Sequence, residues 1–132
     1  MLDKIRKQKI GDKKYSFKMT NKTIRKIDEK YGNYGSVIYG LMEGQQFYTN
    51  ALKLVSMCCV DKEKVLVNKE ENKYEEKIKE WNIEELEDII TGQQYQEITN
   101  LSVDLYLDYM GMNQTEDKED KKEKTKRPVK DY

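Results

Sequence analysis

The chain has 132 residues, which suits one domain of ordinary size. Hydrophobic residues are 36% of it and charged residues 38%, so the core is thin and part of the chain is expected to stay unpacked. Lysine plus arginine and aspartate plus glutamate both number 25, and a net charge of zero gives no overall field favouring nucleic acid or an anionic membrane.

In chain order, Gly11-Asp12 lies between two polar runs and suits a two-residue hairpin turn with positive φ at the glycine. Tyr15, Phe17 and Met19 then alternate with Lys14, Ser16 and Lys18, the period of a half-buried strand. The arm at 3–10 is its expected partner strand. Thr20 or Asn21 can cap a helix whose Ile24, Ile27 and Tyr31 share a face, and Gly32 ends it. "SVIYGLME" (36–43) reads as a short second helix, with Gly40 inside it and Gly44 after it. In "QQFYTNALKLVSMCCV", Phe47, Tyr48, Ala51, Leu52, Val55, Cys58 and Cys59 recur at helical spacing, giving the clearest helix of the chain.

Residues 61–80 are dominated by lysine and glutamate and read as a solvated linker. Tyr74, Ile78 and Trp81 keep a helical spacing, so part of it is expected to be helical. The next helix is announced twice. Asn82 with Glu85 suggests a capping box, and Trp81 with Leu86 a hydrophobic staple. Ile83, Leu86, Ile89 and Ile90 form its stripe, and Thr91-Gly92 closes it. A last helix, about 93–110, aligns Tyr95, Ile98, Leu101, Leu105 and Tyr109 before Gly111. From Asn113 the chain holds one valine and one tyrosine as its only large apolar side chains, too few to offset the entropy of ordering. The expected fold is therefore mainly α: a small helical bundle with an N-terminal β-hairpin over 1–112, followed by a disordered charged tail over 113–132. Leu52, Val55, Leu86, Ile89, Ile98, Leu101 and Leu105 are expected in its core.

Candidate chemistry is sparse. There is no histidine and no glycine-rich phosphate loop. Cys58 and Cys59 are adjacent, a spacing that strains a disulfide, and on a helix they would point roughly 100° apart. They read as small core hydrophobes, and a reduced, cytoplasmic setting suits them. Glu84, Glu87 and Asp88 fall at a helix start, where the dipole favours negative charge, so they need no metal to explain them. No catalytic residue, cofactor or metal ligand is assigned. No apolar run nears the roughly 20 residues that span a bilayer, and the charged start "MLDKIRKQKI" lacks the apolar stretch of a secretory signal.

The ten tyrosines offer more. Tyr15, Tyr31, Tyr48, Tyr95 and Tyr109 fall at expected core positions, whereas Tyr34, Tyr39 and Tyr106 fall off the main stripes. Tyr106, Leu107, Met110 and Met112 make a second apolar surface on the last helix, either further core or a partner surface. Tyr39, Tyr106, Leu107, Met110 and Met112 are the partner-binding candidates. A nucleic-acid-binding regulator would want a basic helix face. Lys22, Arg25, Lys26 and Lys30 offer one, but Asp28 and Glu29 break it.

The order of elements carries a further signal. A hairpin leads into the helix from Thr20 to Gly32, of the type T-n-x-x-I-x-x-I-D-E-K-Y-G. A glycine-interrupted short helix, a long helix ending in Val60-Asp61, a charged insert, a helix of the type "IEELEDIITG" and a closing "YLDYMG" follow. Over roughly residues 5–112 this order resembles the tail assembly chaperones of tailed bacteriophages and prophages. The resemblance implies a non-enzymatic protein that binds the long, mostly helical tape measure protein. It would keep that partner soluble while tail tube subunits assemble around it. It further implies host cytoplasm as the site of action, absence from the mature virion, contact with the tube subunit through a C-terminal extension, and possible self-association. The insert at 61–80 departs from the family pattern. A small nucleic-acid-binding regulator of a phage or mobile element is the alternative.

Overall fold

A computed structural model describes residues 4–112. The first hairpin pairs β1 (Arg6–Ile10) with β2 (Lys13–Phe17) in antiparallel register, Ile10 opposite Lys13. Gly11 takes the expected positive φ, +65°. The helices follow as α1 (Asn21–Tyr31), α2 (Tyr34–Glu43) and α3 (Phe47–Ser56). A second antiparallel hairpin, β3 (Lys62–Asn68) with β4 (Lys73–Ile78), comes next, and α4 (Ile83–Ile89) and α5 (Gly92–Tyr109) close the described chain.

Among the described residues, five helices and two separate two-stranded sheets make this a mixed α/β domain. The expectation of a mainly α bundle with a single N-terminal hairpin is thereby corrected. The error lies in 61–80, which is neither linker nor helix. The hairpin there is held by cross-strand pairs of opposite charge, Glu63 opposite Lys77 and Lys64 opposite Glu76. Its turn is built by two asparagines. Asn68 accepts hydrogen bonds from the amides of Glu70 and Glu71, and Asn72 adopts a left-handed φ of +54°. The alternating charges that suggested a solvated linker are the two outer faces of a ribbon whose β4 residues are all exposed.

The cysteine segment is corrected as well. α3 ends at Ser56, and Cys58 and Cys59 lie beyond it in extended backbone. There they run along the open edge of β2: the Lys18 amide donates to the Cys58 carbonyl (2.9 Å) and the Val60 amide to the Ser16 carbonyl (2.9 Å). The Asp61 carboxylate also accepts from the Ser16 amide at 2.7 Å. Both thiols are buried, as core hydrophobes should be.

The core gathers Phe17, Ile27, Leu52, Leu54, Val55, Trp81, Leu86, Ile98, Leu101 and Leu105. Ile89 departs from the expectation, being 41% exposed. It lies over the first hairpin, where its Cγ2 would sit 2.6 Å from a β-carbon placed on Gly11. Tyr48, another expected core residue, is exposed and stacks edge-on against Phe47 and Tyr95. Asn82 caps α4 through the Glu84 amide, and the buried pair Trp81 and Leu86 occupies the expected staple positions. Gly92 opens α5 instead of closing α4. Its cap is Thr91, in a reciprocal box with Gln94. The same Gln94 side chain holds the Gly11 turn, accepting from the Gly11 amide and donating to the Gly11 carbonyl, each at 2.9 Å. Arg6 adds a two-pronged bond to Asp108 at the other end of α5, 2.6 and 3.0 Å. The first hairpin is thus fastened to α5 at both of its ends. The expected tail, 113–132, lies outside the described residues.

Candidate functional site

A groove runs along the helical hairpin of α2 and α3. Asn33 starts α2 by accepting from the Ser36 amide at 3.1 Å, and the Asp28 carboxylate accepts from the Tyr34 amide at 2.7 Å, so the end of α1 fixes the start of α2. Gly44 ends α2 in the left-handed conformation. The reversal is completed by Gln46, also left-handed at φ +48°.

Gly40 decides how closely the two helices approach. A β-carbon there would fall 2.1 Å from Asn50 Nδ2 and 2.5 Å from the Gln45 carbonyl oxygen. Its absence lets Asn50, itself buried, cross beneath α2 and donate to the Gln45 carbonyl at 2.9 Å. The result is an open groove of about 770 Å³ between Tyr31, Val37, Tyr39, Gln46 and Lys53. Tyr31 is anchored by a 3.0 Å hydrogen bond between its hydroxyl and Ser56 Oγ, and partial burial pushes its hydroxyl above the usual value. The ammonium groups of Lys30 and Lys53 lie over its ring at 5.8 and 5.6 Å.

The groove carries recognition groups rather than reactive ones. Among the described residues its polar lining is amide, hydroxyl and ammonium, with no carboxylate or thiol. Among the described residues no group of three or more histidine, cysteine or acidic side chains could hold a metal ion. Two apolar side chains of α2 are exposed near it: Tyr39, which lines the groove and is 58% exposed, and Met42, one helical turn further along α2.

The partner-binding candidates do not form one surface. Tyr39 lines the α2–α3 groove, and no residue of α5 lines it. Tyr106 and Leu107 are half-buried, Tyr106 against the core. Tyr106 and Tyr109 lie close enough to Tyr34 to help desolvation push its hydroxyl up to about 12. Met110 and Met112 are exposed at the end of α5, away from that packing. Met42, exposed one turn beyond Tyr39 on α2, is not among the expected partner-binding residues, although its i+3 spacing from Tyr39 was a usable signal. Four apolar residues of the second hairpin are exposed too: Leu66 and Val67, hidden in a segment that reads as solvated, and Tyr74 and Ile78, whose spacing suggested a helix but which lie on β4.

The chain matches no known family profile, and it matches no curated protein and no solved structure. Among the described residues no helix is long and apolar enough to cross a membrane.

Proposed function

We propose that this chain is a phage or prophage tail assembly chaperone that binds the tape measure protein and helps tail tube subunits assemble around it. The observation that supports the reading is the α2–α3 groove, with exposed Tyr39 and Met42 at its margin and no acid–base or nucleophilic constellation within it. A tape measure helix presents an apolar stripe that would otherwise associate with its own kind. Such a stripe can lie in a groove between two helices, with side chains at i, i+3, i+4 and i+7 as anchors. The ten-residue helices α2 and α3 are each about 15 Å long, so one copy covers roughly three turns of a partner helix. A long partner would need many copies along its length. The charged exterior would keep that array in solution. On this reading the protein acts in the host cytoplasm and is left out of the finished particle.

The regulator alternative gains little from the basic residues of α1. Arg25 pairs with Glu29 at 3.4 Å and Lys26 with Glu80 at 3.0 Å. The deciding experiment expresses the tape measure protein with and without this chain and measures the soluble fraction. The expected result is rescue of solubility and co-purification that changes little with salt, with Tyr39→Asp and Met42→Asp each reducing both. A tape measure protein equally soluble alone, or one that does not co-purify, overturns the reading. Salt-sensitive retention of DNA would then favour the regulator.

A further inference from the structure

A second concave site lies on another part of the molecule, between the start of α1 and the base of the second hairpin. It encloses about 390 Å³, within the roughly 300–1,000 Å³ usual for binding pockets. Met57, Cys58, Val60 and Ile78 give it an apolar floor and wall, while Lys18, Lys22 and Lys26 stand along it. Among the described residues three lysines and no carboxylate line it, and Lys26 is paired with Glu80 beside it at 3.0 Å. The cysteines contribute surface and no chemistry, since burial pushes the Cys58 thiol up to about 12.

The pocket does not end at Ile78. Side chains two apart on a strand share a face, so Ile78, Glu76 and Tyr74 point the same way as their partners Lys62, Lys64 and Leu66. Leu66 and Tyr74 are opposite one another and both exposed. From Ile78 to Tyr74 is four residues of strand, about 13 Å. The apolar floor therefore continues as a track with a second apolar station. Lys62 and Lys64 flank it, and Glu76 offsets one of them.

We infer that this lysine-lined pocket and the hairpin face that extends it dock an acidic segment of another protein, which seats one apolar side chain over Met57 and Ile78 and a second against Leu66 and Tyr74. Charge complementarity selects the acidic partner, because its carboxylates would meet Lys22 and Lys62 beside the two apolar stations. The separation of the stations selects a polypeptide over a small anionic amphiphile, which would fill the pocket and leave the Leu66–Tyr74 pair uncovered. The inference does not rest on the chaperone reading, since this site shares no lining residue with the α2–α3 groove.

The test is fluorescence anisotropy of the full chain with a dye-labelled peptide of about nine residues, glutamate or aspartate throughout except for two leucines four positions apart, a spacing matched to the roughly 13 Å between the stations. Three peptide or lipid comparisons accompany it: the same leucines among lysines, the same acids with serine for leucine, and laurate. A single-stranded DNA oligonucleotide is the fourth. Binding is expected for the acidic leucine peptide alone, weakening as salt rises. Lys22→Glu, at an exposed position, should weaken it about tenfold, because it removes one attraction and adds one repulsion. Ile78→Ser should weaken it by a similar factor without altering the circular dichroism spectrum. Equal binding of the lysine peptide, or unchanged affinity in both variants, overturns the inference. So does binding of laurate or DNA in the absence of peptide binding. Failure of the tape measure experiment would leave this result standing.

Discussion

Gly40→Ala is the substitution whose sign depends most directly on the packing described here. In an exposed helix interior, alanine is favoured over glycine by about 1 kcal/mol, so propensity alone predicts a more stable protein. Gly40 is buried, and its added methyl would lie 2.1 Å from Asn50 Nδ2 and 2.5 Å from the backbone oxygen of Gln45. The Asn50 side chain could swing away, at the cost of its 2.9 Å bond to that oxygen. The Gln45 carbonyl cannot move so easily, because the residue lies in the tight reversal between α2 and α3, and its amide is bonded to the Gly40 carbonyl at 2.9 Å. Overpacking of this kind costs about 1–3 kcal/mol, and a lost hydrogen bond adds about 1. Against the propensity gain, the net expectation is a loss of about 1–3 kcal/mol.

Thermal and urea unfolding of the purified variant measure this directly. For a domain of about 100 residues each kcal/mol moves Tm by roughly 4–8 °C, well within detection. Gly92→Ala is the control. Gly92 opens α5 with ordinary φ and nothing within 4 Å of an added β-carbon, so it should gain about 0.4–1 kcal/mol through the unfolded chain. A Gly40→Ala variant as stable as the parent, or more so, would refute the close helical approach and the groove built on it.

Leu86→Ala should cost about 2–5 kcal/mol, since Leu86 is fully buried beneath α4, and an unchanged melt would contradict its place there. Asp108→Asn should cost about 1–2 kcal/mol by removing the acceptor charge of the two-pronged Arg6 bond, read from urea midpoints at constant m-value. Cys58 and Cys59 should resist thiol reagents in the native protein and react at the rate of unfolding; fast labelling would show an open segment. Stability should fall above pH 9, because folding raises the Cys58 thiol from 9.0 to about 12 and the Tyr34 hydroxyl from 10.0 to about 12. A raised value is stabilising below the unfolded pKa, and the benefit is lost as pH climbs toward the folded one. Cys58→Ala should flatten the part of that slope that begins near pH 9.

The helices were legible where burial is one-sided. Ile24, Ile27 and Tyr31 on α1, and Ile98, Leu101 and Leu105 on α5, repeat at the helical period because a single face meets the core. The first hairpin was legible from Gly11 and from alternation in β2. The second hairpin was not, for a physical reason. Neither of its faces is covered, so no alternation of apolar and polar residues is imposed on it. Its specification lies in charge pairing across strands and in Asn68 and Asn72, both invisible to a search for periodic burial. The run Val65-Leu66-Val67, β-branched at both ends, was the one local signal against a linker. The groove was half legible: Tyr39 stood off the main stripe, but the contact that shapes the groove, Asn50 under Gly40, joins residues on two helices, and no local pattern encodes it.

That exposed hairpin also bears on how a partner would be held. A two-stranded ribbon in water is marginal by itself, and this one is tied to the domain chiefly at its base, where the Lys79 amide donates to the Asp61 carbonyl at 2.8 Å and Lys79 packs over Trp81 at 4.1 Å. Its tip should therefore open locally at much lower free energy than the core, and amides near Leu66 and Tyr74 should exchange faster than those of α5. An acidic segment seated across the Ile78 and Tyr74 stations would bridge base and tip. It would then have to order the ribbon as it binds, at some cost in affinity. Occupancy should slow exchange across Lys62–Ile78 and leave α2 and α3 unchanged, whereas a helix lying in the α2–α3 groove should do the reverse. Hydrogen exchange thus separates the two surfaces by which amides become protected, independently of what either partner proves to be. Protection confined to the base of the hairpin would mean that only the pocket is used and that the second station is idle.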